Sequence, residues 1–144
     1  MIQSIQRLLA ERFASVLAEV TGLPPERIDA AVRPSGDARF GDYQCNAAMG
    51  LARELGLKPR ELAERIRTAG DAVLAGIADP LEVAGPGFVN VRLLPEFLAG
   101  SLAGIPSAPP AGQIDRLGVP ATGSPVTVVI DYSSPNIAKQ MHVG

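Results

Sequence analysis

The chain has 144 residues, 47% of them hydrophobic and 19% charged, which suits one globular domain of ~100–200 residues plus a smaller piece. Thirteen basic and fifteen acidic side chains leave a net charge of −2. That balance excludes a general DNA-coating protein, whose affinity comes from neutralising phosphates, but leaves room for a local, shape-guided RNA contact.

Apolar residues recur at Ile2, Ile5, Leu8, Leu9, Phe13, Val16, Leu17 and Val20, steps of three and four that predict a helix from Ile2 to about Val20. Gly22 is its expected C-terminal cap, and Pro24-Pro25 bars continuation. Ile28 to Val32 reads as a strand, with Arg33-Pro34-Ser35-Gly36-Asp37 as the turn after it. A second helix is predicted from Gly41-Asp42 through Leu55, with Asp42 satisfying free amides at its start. Lys58-Pro59 opens a third, buried along Leu62, Ile66 and Ala69, and the stretch from Asp71 to Ala78 is expected to be helical too. Leu81 to Ala84 and Phe88 to Leu93 flank Gly85-Pro86-Gly87, the pattern of a β-hairpin. In its second strand Val89, Val91 and Leu93 face one way, and Phe88, Asn90 and Arg92 the other.

The stretch from Gly104 to Pro125 is rich in Pro, Gly, Ala and Ser and reads as a linker. Val126-Thr127-Val128-Val129-Ile130 is a continuous β-branched run, the signature of a strand buried on both faces of a parallel sheet. One strand cannot make such a sheet, so a truncated second domain is expected there. The single cysteine, Cys45, allows no intrachain disulfide and is read as a small buried residue. A lone thiol, an amino terminus without a signal-peptide pattern, and no apolar run of ~18 residues make the expected setting the cytoplasm, with no membrane.

From Asp131 the chain runs Tyr132-Ser133-Ser134-Pro135-Asn136-Ile137-Ala138-Lys139-Gln140-Met141-His142-Val143-Gly144. Residues that follow a parallel strand and precede a helix sit where doubly wound folds bind ligands. Read from spacing alone, they could equally be turn residues, a solvated lysine and an incidental histidine. The segment resembles the signature loop of the class I arginine–tRNA ligase family, in which it leads into a His-x-Gly-His motif. Arg39-Phe40-Gly41-Asp42-Tyr43-Gln44-Cys45-Asn46 and Ala84-Gly85-Pro86-Gly87-Phe88-Val89-Asn90-Val91 are similar to that family's amino-terminal additional domain, which touches the D-loop of tRNA.

The resemblance spans nearly the whole chain. It implies an α+β fold with helices packed on a small antiparallel sheet, followed by the first strand of a truncated Rossmann-type α/β catalytic domain. The implied division is 1–103 for the tRNA-contacting domain, 104–125 for a linker and 126–144 for the start of the catalytic domain. It further implies an enzyme that uses ATP, accompanied by Mg2+, to activate arginine as arginyl-adenylate and transfer it to tRNA, with no prosthetic group and no metal site in the protein. Ser134 and Asn136 would lie by arginine. Lys139, His142 and Gly144 would meet ATP, with Lys139 and His142 as the catalytic pair. The expected partners are arginine-accepting tRNA, arginine and ATP, without DNA or membrane, and the chain alone is expected to be inactive. A free-standing, non-catalytic tRNA-binding module is the other reading left open.

For tRNA the candidates are Arg39, Phe40, Tyr43, Gln44 and Asn46. An unstacked base could stack on Phe40 or Tyr43 and hydrogen-bond to Gln44 or Asn46. The same aromatics could instead pack into the core, and Asp42 could be no more than a helix cap. Arg33 and Arg39 are open to either phosphate contact or plain solvation.

Overall fold

The structure, a computed structural model, describes residues 4–103 and 123–130. Helix α1, Ile5–Thr21, starts where the Ser4 side chain accepts the Arg7 amide and stops at Gly22, whose left-handed backbone donates its N–H to Ala18 O. Its predicted stripe is the buried one: Leu9, Phe13, Val16 and Leu17 are all at most 1% exposed. Helices α2, Ala47–Leu55, and α3, Pro59–Val73, follow, the latter with Pro59 in its first turn and Leu62, Ala63, Ile66 and Gly70 buried. Ala69, expected in that stripe, is only partly buried.

Four short strands, β1 (Val32–Pro34), β2 (Tyr43–Cys45), β3 (Glu82–Ala84) and β4 (Phe88–Val91), form one antiparallel sheet in the order β1-β2-β4-β3. Alternation sends Val32, Cys45, Val89 and Val91 into a core shared with α1, α2 and α3. The α+β expectation, helices on one face of a small antiparallel sheet, therefore holds, as does the hairpin around Gly85-Pro86-Gly87.

Several boundaries differ from the sequence reading. The first strand lies at Val32–Pro34 rather than Ile28–Val32, so Arg33 and Pro34 belong to a strand and not a turn. The Asp29 carboxylate accepts the Ala31 amide at 2.8 Å and Ala31 takes a positive φ of 47°, which bends the chain before the ladder begins. Pro34 is tolerated because β1 is an edge strand. The helix expected from Gly41-Asp42 begins only at Ala47. Before it come a 3-10 turn, Ala38–Phe40, and strand β2, which pairs with both β1 and β4. Asp42 does not cap a helix; its Oδ2 accepts the Leu93 amide at 2.8 Å. Helix α3 ends at Val73, so 74–77 is turn rather than helix and Ala78 makes an isolated antiparallel bridge to Leu93. A fourth helix, α4, Pro95–Ala103, follows the sheet, and none of its residues is fully buried.

The run Val126–Ile130 forms no strand, and Val126, Val128, Val129 and Ile130 are 65–89% exposed. Its pattern asks for neighbouring parallel strands, and the only sheet among the described residues is the antiparallel one.

Candidate nucleic-acid interface

The face of the sheet turned away from the helices carries one row of polar side chains in register: Arg33, Gln44, Asn90 and Glu82 on β1, β2, β4 and β3. At its centre Gln44 Nε2 donates to Asn90 Oδ1 at 2.9 Å. Asn90 is only 6% exposed and, among the described residues, is the one polar residue in the buried set. That bond satisfies one end of its amide, as burial of a polar group requires.

Phe40 stands beside this row. The residue is 42% exposed, and it lines two cavities on this face. One, of about 390 Å³, is bounded by Phe40, Phe88, Ala84 and Gln44 with the 35–37 loop. The other, of about 310 Å³, is bounded by Phe40, Asn90 and Arg92 with Asp79, Pro80 and Glu82. A flat aromatic between a mainly apolar cavity and a mixed one can stack a base while amides nearby meet its edge.

The turn that presents Phe40 is tied on several sides. Asp37 caps it by accepting the Arg39 amide at 2.9 Å, and Ser35 N donates to Asp42 O at 2.8 Å. Asp42 N donates to Val91 O at 2.8 Å. Between them Gly41 has φ +87°, and a Cβ there would lie 2.5 Å from Val91 O. Only glycine suits both that dihedral and that approach.

Arg39 forks onto the Asp37 carboxylate, with Nε and Nη2 donating to Oδ2 at 2.9 and 2.7 Å, and its guanidinium carbon lies 5.8 Å from the Phe40 ring centroid. The Arg39 side chain is the main reason the Asp37 carboxyl is held below its usual range, and Asp37 in turn raises Arg39. Both groups are exposed, so the pair adds little stability.

The structure thus brings Arg39, Phe40 and Gln44 together and separates the other two candidates from them. Tyr43 falls on the opposite phase of β2 and packs against the core. Asn46 sits at the start of α2, lines neither cavity, and leaves its Oδ1 buried without a partner. Burial pushes the Cys45 thiol up to about 12, and its Sγ donates to Ala30 O at 3.1 Å, as befits a core residue rather than a nucleophile. Phe88, Asn90 and Arg92 were not among the candidates. Strand alternation grouped them, but their proximity to Phe40 and Gln44 depends on the β2–β4 register, which no local pattern encodes. Ser134, Asn136, Lys139, His142 and Gly144 lie outside the described residues.

On the helix side an open groove is lined by Glu19, Glu61 and Glu64 with Arg65, so carboxylates outnumber cations there, as they do in the cavity lined by Asp79, Glu82 and Arg92. No described helix is long and apolar enough to cross a membrane, and no described group of three or more His, Cys, Asp or Glu could hold a metal ion.

Two protein families match the chain: the arginyl tRNA synthetase N terminal domain over residues 7–93, and the class I (R) tRNA synthetase catalytic domain over residues 113–144. An arginine–tRNA ligase of Erwinia tasmaniensis is 45% identical over 141 residues, covering 98% of this chain and 23% of that protein. One from Cellvibrio japonicus is 46% identical over 142 residues with the same coverage. The chain thus spans about a quarter of the length of these relatives. The arginyl-tRNA synthetase of Plasmodium falciparum matches in structure with a TM-score of 0.60 at 21% identity, over 71% of this chain and 18% of that one, a likeness of fold.

Proposed function

The chain belongs to the arginyl-tRNA synthetase family through its amino-terminal domain, and on that premise we propose that the open face of its sheet contacts the D-loop of an arginine-accepting tRNA. The observation that carries this reading is the Gln44–Asn90 amide pair beside the exposed Phe40 ring. A splayed base would stack on Phe40 or Phe88 and present its edge to the amides, a contact of about 1–3 kcal/mol per stacked base. Arg39 and Arg33, at the margins, would meet phosphates. With a net charge of −2 over the chain, shape and stacking rather than bulk charge must supply the affinity.

The whole protein, on this reading, is an arginine–tRNA ligase working in the cytoplasm. Arginine's carboxylate attacks the α-phosphate of ATP, releasing pyrophosphate and forming arginyl-adenylate, from which the arginyl group passes to tRNA. Ser134 and Asn136 would hold the amino acid, and Lys139, His142 and Gly144 the nucleotide phosphates. Their work is positioning and charge stabilisation. Magnesium would arrive with the phosphates of ATP, its usual way of binding. The catalytic-domain match over 113–144 favours this reading over a free-standing binding module.

Anisotropy titration of labelled arginine-accepting tRNA with the 144-residue chain tests the contact. Saturable binding weakened about tenfold by Phe40→Ala, the scale of one stacked base, supports it. Equal binding by wild type and Phe40→Ala, or none by either, overturns it. The same chain should show no ATP–pyrophosphate exchange, and robust exchange would contradict the division of labour.

A further inference from the structure

Arg92 is the first residue after β4, on the chain that leads into α4, and its side chain does not run out into solvent alone. Nη2 donates to Ala38 O and to Arg39 O, both at 3.3 Å, although those residues lie more than fifty positions earlier. The two carbonyls belong to the 3-10 turn that carries Phe40. A turn this short has few internal hydrogen bonds: Phe40 N to Asp37 O and Gly41 N to Ala38 O close it. Its remaining ties all run to neighbours. Asp37 grips Arg39 from the upstream side, Asp42 ties the downstream side to Val91 and Leu93, and Arg92 holds the middle.

A cation next to an RNA-binding aromatic invites the reading that it contacts phosphate. Its geometry favours another role. A guanidinium occupied by two backbone carbonyls has its Nη2 donors committed, and carbonyl oxygens bonded to a charged group are held more firmly than by a neutral donor. We infer that Arg92 is a positioning residue for nucleic-acid binding: by clamping Ala38 and Arg39 it fixes the Phe40 ring between the two cavities before any base arrives. Ordering the turn in advance removes an entropic cost from binding, so the effect is felt in affinity although Arg92 itself need touch no nucleotide.

This role presupposes that the open face binds RNA, and a double-mutant cycle separates the two ideas. Labelled arginine-accepting tRNA is titrated against wild type, Arg92→Met, Phe40→Ala and the double variant, each across a range of salt concentrations. Met keeps the aliphatic stem and discards the charge, and circular dichroism confirms that each variant folds. Arg92→Met should weaken binding by about fivefold, typical of coupled neighbours. The slope of log affinity against log salt should not change. In the Phe40→Ala background the Arg92 effect should vanish, since there is no ring left to position. Arg92→Lys, able to reach one carbonyl, should recover part of the loss. If the two effects multiply, or the salt slope falls by about 0.7–0.9 as for a lost phosphate contact, Arg92 is a direct ligand and the positioning role is wrong. If Phe40→Ala alone changes nothing, it is the RNA-contact reading that fails.

Discussion

Gln44 and Asn90 are paired directly across the β2–β4 ladder, and their side chains are joined by a 2.9 Å hydrogen bond on the face that the helices leave uncovered. Asn90 is nearly all buried, so the bond satisfies a polar group that water cannot reach. Asn90→Ala should cost about 1–3 kcal/mol in urea unfolding, because it strands the Gln44 donor in a partly dry site. Gln44→Ala should cost a similar amount by stranding Asn90 Oδ1. The double variant should lose less than the sum of the two, since the second change removes a group already unpaired. Strict additivity would mean that the pair contributes nothing as a pair.

Gly41 is the point at which the Phe40 turn passes closest to β4. An added methyl would meet Val91 O at 2.5 Å and sit on a backbone with φ +87°. Neither neighbour can yield cheaply, because Val91 O already accepts the Asp42 amide. Gly41→Ala should therefore lower stability by at least about 2 kcal/mol and shift the thermal midpoint downwards. Because the turn must move, tRNA binding should fall even at temperatures where the variant is folded. A variant that melts with wild type would show that this close approach is relaxed in solution.

How much of this was legible beforehand follows from the range of each signal. The α1 stripe, the Gly22 cap, the Pro59 helix start and the Gly85–Gly87 hairpin are set by residues within a few positions of one another, and the structure bears them out. Strand β2 was hidden because three residues, Tyr43–Cys45, are too few to display alternation, and a helix follows almost at once. Its existence depends on partners at Val32–Pro34 and Val89–Val91. The same dependence governs the candidate interface. Phe40 and Gln44 could be picked from a motif, while Asn90 and Arg92 joined them only through register and through contacts spanning 46 to 54 residues.

Cys45 is wholly buried, and desolvation is the first reason its thiol is pushed from an ordinary 9.0 up to about 12. The folded chain therefore keeps this proton at pH values where the unfolded chain releases it. The contribution to stability is complete below pH 9 and is lost as pH rises from 9 towards 12, at up to about 1.4 kcal/mol per pH unit. Urea midpoints of wild type should fall more steeply across that window than those of Cys45→Ala, measured against each variant's own value at pH 8. At pH 8 a thiol reagent should react with native protein only as fast as it unfolds. Parallel alkaline profiles for the two proteins would remove the thiol from the account.

Asp37 holds Arg39 by both oxygens at the edge of the apolar cavity, so in the free chain this cation is already occupied. A phosphate approaching Arg39 must compete with that carboxylate, and Asp37 also repels it directly. Asp37→Asn keeps a side-chain oxygen to cap the Arg39 amide, a role Asn fills as well as Asp. It removes only the charge. Affinity for tRNA should rise by about two- to fivefold, and the salt slope should steepen by up to about 0.7–0.9 as Arg39 gains a phosphate partner. The acid behaviour gives an independent check. Asp37 titrates below its ordinary 3.8, first because of the Arg39 side chain, so its pairing is intact above that value and is lost as pH falls through the lower, folded one. Arg39 should therefore loosen in strong acid in wild type, seen as a change in the NMR shifts of its side-chain Nε–H, and be equally loose at all pH values in Asp37→Asn. Unchanged affinity and unchanged salt slope in Asp37→Asn would place Arg39 outside the RNA contact.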